Sequence, residues 1–173
     1  MTETQSRTLV LARHAKAQND APSDAARELS ARGHADAAAM GRWLSDSGQN
    51  FDTVLCSSSA RTRQTWRDIE AAGVTAGEVT IDERIYGAGV DELLDVLGQL
   101  PDAVKSVLVV GHAPTIPELT EALADREASD PDALAALRSN FPTACLAVLT
   151  IEEAWGSLTH GSANLTEVTA PRG

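Results

Sequence analysis

At 173 residues, with 43% hydrophobic and 23% charged residues, the chain has the size and composition of one globular domain with a sizeable core. Its formal net charge of −11 excludes a general affinity for nucleic acid or an anionic membrane, since phosphate-rich partners are repelled overall, but leaves room for a local basic pocket. No apolar run approaches the ~18 residues of a membrane span, and MTETQSRT lacks the charged-then-apolar order of a secretory signal, so a cytoplasmic location is expected.

The first strand is expected over Thr8 to Ala12, an apolar run that ends on Arg13 and His14 with Lys16 just beyond. A helix follows in LSARGHADAAAMGRWLSDSG: Ser30 is the candidate N-cap, Ala37, Met40 and Leu44 share a face at helical spacing, and Gly48 is the stop. Thr53 to Cys56 reads as the second strand and runs into SSSAR, Ser57 to Arg61. Ser59 to Ala72 forms a second helix with Trp66 and Ile69 on one face and Gly73 behind it. Val79 to Ile81 is a short third strand, and VDELLDVLGQLP a third helix closed by Pro101.

Val107 to Val110 is the fourth strand, ending in Gly111, His112, Ala113 and Pro114. In TIPELTEALAD, Thr115 is the candidate cap of a fourth helix and Pro117 falls in its tolerated first turn. Residues 126–140 read as a short helix or a lid-like excursion, and Cys145 to Ile151 as a last strand. Residues 1–6 and 168–173 are expected to be loose termini.

Most strand candidates are continuous apolar runs, which suits strands covered on both faces. Their alternation with helices predicts a single domain over residues 1–173, a three-layer α/β/α sandwich with a mostly parallel central sheet. There is no internal repeat or low-complexity linker. Cys56 and Cys145 lie inside strand runs and are expected to be reduced core thiols; two isolated cysteines give neither a disulfide framework nor a metal-ligand spacing. Trp43, Trp66 and Trp155 are expected to pack, and His34 and His160 to lie on the surface, since neither histidine follows a strand.

In parallel α/β sheets ligands bind beyond the carboxyl ends of the strands. Three predicted strands end there in Arg13-His14, in Ser57 to Arg61 and in Gly111-His112. Taken singly, a histidine after a strand is ordinarily a hydrogen-bonded structural residue, a serine run before a helix an N-cap, and an arginine on a helix a solvated charge. Their convergence at one end of a sheet carries the functional reading. Two arginines, two histidines and the N–H groups of a helix start, including Ser58, form a donor set without a carboxylate, suited to a dianionic phosphoryl group. Histidine can also act as a covalent nucleophile, with the arginines stabilising charge on the phosphoryl in flight. Spacing alone does not distinguish His14 from His112 as that nucleophile. No metal or cofactor is called for.

ARHAKAQ resembles the Arg-His-Gly/Ala element of the histidine phosphatase superfamily, also called phosphoglycerate-mutase-like, and ARELSARGHADAAAMGRWL, LCSSSARTRQTW and VLVVGHAP agree with it in order and spacing. The resemblance covers residues 8 to about 120 and part of the final strand, and the short length with the RHAKA variant is most similar to the SixA branch of phosphohistidine phosphatases. It implies a phosphoglycerate-mutase-like fold, His14 as the residue that becomes phosphorylated, Arg13, Arg61 and His112 around the phosphate, and a backbone N–H of Ala113 beside it. Lys16 and Asn19 are candidate substrate contacts.

The larger members of that family carry a glutamate general acid just beyond the third strand. Here that position falls near Gly87, with Glu83, Asp91 and Glu92 as nearby alternatives. An alkoxide leaving group gains on the order of 10²–10⁴ from a general acid, whereas a phosphoramidate nitrogen is readily protonated and leaves easily. The expected function is a metal-independent phosphatase acting on phosphohistidine in a protein and releasing inorganic phosphate. A small-molecule phosphomonoesterase with a swung-in carboxylate is the alternative; a non-catalytic phospho-binding module, which would never accumulate phosphoenzyme, is the rival from another class.

Overall fold

A computed structural model describes residues 5–173; most of the expected loose N-terminus, residues 1–4, lies outside the described residues. Six strands and five helices follow in the order β1 (Arg7–Arg13), α1 (Ala31–Asp46), β2 (Phe51–Ser57), α2 (Ala60–Ala71), β3 (Ala76–Asp82), α3 (Val90–Gly98), β4 (Ser106–Gly111), α4 (Thr115–Leu123), α5 (Pro131–Ser139), β5 (Leu146–Ile151) and β6 (Ala163–Thr169). One mixed sheet has the order β3-β2-β4-β1-β5-β6; the first four strands are parallel, and β5 and β6 add antiparallel at one end. No described helix is long and apolar enough to cross a membrane.

The layers follow from the two-residue period of the strands. Leu9, Leu11, Val107 and Val109 face one side and pack with Leu93 and Leu97 of α3, Leu119 of α4 and Leu134 of α5. Their alternates Val10, Ala12, Leu108 and Val110 face the other side, against Ala37, Met40 and Leu44 of α1 and Trp66 and Ile69 of α2. Helices therefore cover both faces, which is the three-layer α/β/α sandwich. Ser30 and Ser59 cap α1 and α2, accepting from the N–H groups of Gly33 and Thr62, and Gly48 and Gly73 take positive φ beyond their ends. Both cysteines are free and buried, and burial pushes each thiol up to about 12, which leaves them unreactive.

β3 extends the expected Val79 to Ile81 strand at both ends and is an edge strand with Val79 and Ile81 exposed by 42% and 46%, because the covering helices sit over the centre of the sheet. Two local expectations fail. Thr115 does not cap α4; it is the first residue of that helix, and its hydroxyl donates to the carbonyl of Ala88. Of the two readings of residues 126–140 the short helix holds: Asp130 caps α5, which buries Ala133, Leu134 and Leu137 in the core. The C-terminus is not loose, since β6 runs to Thr169, Arg172 donates to the carbonyl of Thr143 at 3.1 Å, and the N–H of Gly173 donates to buried Asp36 at 3.2 Å.

The start of α1 is clamped to the loop that follows β1. The carbonyl of Lys16 accepts from the Ser30 N–H at 2.9 Å, and a Cβ on Gly33 would stand 2.0 Å from that same oxygen. Alanine would ordinarily favour a helix by ~0.5–1 kcal/mol over glycine, but displacing backbone in a packed interior costs about 1–3 kcal/mol. Gly33→Ala is therefore expected to lower the urea midpoint. An unchanged or raised midpoint would show that the loop yields freely.

Candidate active site

Three strand ends meet at one point of the sheet. Arg13 is in register with Gly111, the N–H of His14 donates to the carbonyl of Gly111 at 3.0 Å, and β2 delivers Ser57 on the far side of β4. The Ala15 N–H donates to the hydroxyl of Thr65, which donates in turn to the carbonyl of Arg61. The exit of β1 is thus tied to α2. An open cavity of about 510 Å³ lies above these ends.

Of the sequence candidates, Arg13, His14, Lys16, Arg61, His112 and Ala113 all line that cavity. Ser58 is not among its lining residues; the neighbouring Ser57 hydroxyl instead lies 2.8 Å from Nε2 of His112. Nor does the start of α2 offer its N–H groups broadly: Ala60 donates to the carbonyl of Ala25 and Thr62 to its own capping serine. Asn19 lies outside the lining and accepts from Arg27. His34 is exposed and bound to Asp68, and His160 is exposed.

His14 is 8% exposed. Its Nδ1 lies 2.7 Å from the carbonyl of Ala15, which can only accept, so Nδ1 carries the hydrogen and Nε2 keeps a lone pair with no partner among the described residues. Burial pushes the His14 pKa down to about 3, partly opposed by the Ala15 hydrogen bond and reinforced by His112, Arg61 and Arg13. His112, its ring centroid 5.4 Å away, is pushed down to about 4 by burial and then by Arg61. Its Nδ1 faces Arg61 Nη2 at 3.4 Å, which assigns the hydrogen to Nε2 and a donated bond to Ser57. Both imidazoles are neutral near pH 7.

The guanidinium groups are held but not satisfied. Arg13 donates through Nη1 to the carbonyl of Phe141, and Arg61 through Nη1 to the carbonyl of Asp24; the buried Nε of each has no partner among the described residues. Both guanidinium groups line the cavity, where their forked donors suit an anion with several acceptor oxygens.

The donor set contains a carboxylate after all. Asp24, from the loop between β1 and α1, accepts from Arg61 Nη2 at 3.0 Å, from the Tyr86 hydroxyl at 2.6 Å and from Arg27 Nη1 at 3.2 Å. Those bonds, Tyr86 first, then Arg61 and Arg27, hold its carboxyl well below the usual carboxylate range. Tyr86, Arg27 and Gly87 also line the cavity. The expected proton donors do not: Glu83, Asp91 and Glu92 all lie outside the lining, Asp91 beside a different hollow and Glu92 accepting from the Gly89 N–H. Asp24, Arg27 and Tyr86 were not singled out by strand-end reasoning, because each belongs to a loop. The only available signals were the Asp24–Arg27 spacing and the placement of the chain's single tyrosine just after the third strand.

The profile of the histidine phosphatase superfamily (branch 1) matches residues 9–88, a span that holds Arg13, His14 and Arg61 but not His112. A Nakamurella multipartitia structure described as a phosphohistidine phosphatase SixA is 40% identical, with a TM-score of 0.85 and 96% of each chain covered. An Agrobacterium tumefaciens structure described in the same way is 32% identical over 95% of this chain and 98% of its own, with a TM-score of 0.78. An uncharacterized protein of Mycobacterium tuberculosis is 35% identical over 161 residues, 92% of this chain and 99% of that protein.

Two buried neutral histidines have a consequence for stability. Their pKa values lie below the unfolded value of 6.5, at about 3 and about 4, so below pH 6.5 the unfolded chain binds more protons than the folded one. Stability is therefore expected to be independent of these groups above pH 6.5 and to fall as pH drops from 6.5 towards 4. His14→Gln should flatten that decline in urea titrations across this range; an unchanged slope would contradict a buried neutral His14.

Proposed function

Because the chain belongs to the histidine phosphatase superfamily, with the SixA-type proteins, and is a phosphatase, we propose that it hydrolyses phosphohistidine on a protein through a covalent intermediate on His14 and without a metal ion. The observation that carries this reading is a neutral His14 whose Nε2 lone pair shares a cavity with the guanidinium groups of Arg13 and Arg61.

In the first step the His14 Nε2 lone pair attacks phosphorus, the N–P bond of the substrate breaks, and its electron pair returns to the departing ring. Arg13 and Arg61 pair with the phosphoryl oxygens as their charge redistributes, the role that a metal ion plays in other phosphoryl transfers. His112 steadies Arg61 through its Nδ1 lone pair, and Lys16 and the backbone of Ala113 contact the substrate at the rim. In the second step water attacks phospho-His14 and inorganic phosphate leaves, restoring the neutral imidazole.

Choice of substrate follows from proton supply. Glycine stands where an acid is wanted, and the carboxylate in the cavity is held ionised by its three donors, so neither protonates an alkoxide. The SixA-type relatives described as phosphohistidine phosphatases support the N–P reading. An open cavity in a short chain admits a side chain presented by another protein, and a cytoplasmic setting belongs to the same proposal.

His14→Ala is expected to abolish both turnover and the acid-labile phosphoenzyme, and Arg61→Ala to slow turnover by on the order of 10²–10³. Activity should survive chelation of divalent cations, and vanadate should compete with substrate. Near-normal turnover by folded His14→Ala would sink the proposal, and wild-type rates on sugar phosphates equal to those on a phosphohistidine peptide would favour the monoesterase alternative.

A further inference from the structure

The mechanism above leaves Asp24 without a task. It lines the reaction cavity, it comes from a loop anchored by the Ala60 N–H to the carbonyl of Ala25, and it is ionised. A carboxylate beside a dianionic phosphoryl site is repelled by the substrate's phosphate, so its presence calls for a compensating contact.

Resting on the phosphohistidine reading, we propose that Asp24 is a specificity-determining residue that accepts a hydrogen bond from the non-phosphorylated ring nitrogen of the substrate and holds that ring as an imidazolium. The chemistry of the leaving group requires such a partner. When only the phosphorylated nitrogen is engaged, N–P cleavage expels an imidazolide anion; when the other nitrogen carries a proton, the same cleavage releases neutral histidine. The electron pair of the N–P bond neutralises the ring's positive charge, the phosphoryl passes to His14, and no proton moves during the step. What the site must supply is a fixed anion, not an acid.

The geometry of Asp24 fits that role. Its Oδ2 is occupied by Arg61 and Tyr86, at 3.0 and 2.6 Å, and these bonds fix its position. Its Oδ1 is held within the carboxylate's contacts only by Arg27, through an exposed pair at 3.2 Å. Such exposed pairs are weak and exchange readily. Oδ1 is thus the acceptor open to a ring standing at the mouth. The ring of Tyr86, exposed and set edge-on to His112 at 5.6 Å, offers a flat wall alongside. Arg13, Lys16, Arg27 and Arg61 surround the cavity as cations, and the guanidinium hydrogens of Arg13 and Arg61 that the chain does not use remain for the phosphoryl. Among the described residues Asp24 is then the one anion lining the cavity that an imidazolium can meet.

The test compares wild type with Asp24→Asn on a phosphohistidine peptide and on p-nitrophenyl phosphate, whose phenolate departs without a proton or a counter-anion. Concentrations are normalised to active sites by trapping phospho-His14. Loss of a charge-assisted hydrogen bond should lower kcat/KM for the peptide about 10–100-fold more than for the ester. An equal fall on both substrates would overturn the proposal by reducing Asp24 to a support for Arg61. A larger fall on the ester would overturn it, because an anion that serves an imidazolium has nothing to give a departing phenolate, and no fall on either would remove Asp24 from the reaction. A wild-type enzyme that turns over the ester but not the peptide would instead defeat the phosphohistidine reading on which the proposal rests.

Discussion

The site depends on the register between β1 and β4. Arg13 pairs with Gly111, and the His14 N–H continues the ladder by one further bond to the Gly111 carbonyl. Because the strands are parallel, both reach their carboxyl ends at the same level, and the next residue on each is a histidine. The Ala144 N–H donates to the His14 carbonyl from the other side, so β5 closes the position that β4 opens. A slip of one residue would turn His14 towards the opposite face and exchange the apolar sets that feed the two halves of the core. Catalytic geometry and core packing are therefore fixed by the same ladder.

Burial then sets the charge states. A chain of net charge −11 concentrates Arg13, Lys16, Arg27 and Arg61 around one cavity, where only Asp24 opposes them. Desolvation, and after it Arg61 and Arg13, keep both imidazoles neutral, the state that the nucleophilic role proposed for His14 requires. Asp24 in turn keeps Arg61 from standing unpaired while the cavity holds no substrate. The overall negative charge is a property of the outer surface, and the site is a local inversion of it, maintained by strand ends that expose arginine where helices cannot cover the sheet.

Much of this was legible because strands announce themselves as apolar runs and the sheet rule places their ends together. Arg13, His14, Arg61 and His112 needed only that. The elements that escaped are those whose position depends on tertiary contacts. β6 pairs with β5 through ANLTEVT, which carries Asn164, Thr166 and Glu167 and reads as a tail until a partner strand is supplied. α5 was left between a short helix and an excursion because its apolar content is mostly alanine and leucine in a polar stretch, and the three of those residues that complete the core decide for the helix. Ser58 was favoured from its place before a helix, but the cap geometry gives Ser59 the bond to Thr62 and turns Ser57 to His112. Asp24 and Tyr86 come from loops separated by 62 residues, and no periodicity brings them together.

Gly87 shows that the missing proton donor is a feature of the backbone as well as of the side chain. It lines the cavity at φ 76°, in the left-handed region, and a Cβ built there would meet nothing within 4 Å. Space would admit an acid, but an L-residue in that conformation carries about 1–2 kcal/mol of strain. The turn after Ile85 therefore favours glycine at this point, and with it a cavity in which charge is supplied by a fixed carboxylate across the mouth. For a phosphate ester that exchange is a loss, since the leaving oxygen still needs a proton. For a leaving group that brings its own proton it is not, and the backbone at Gly87 and the anion at Asp24 then express the same chemical preference.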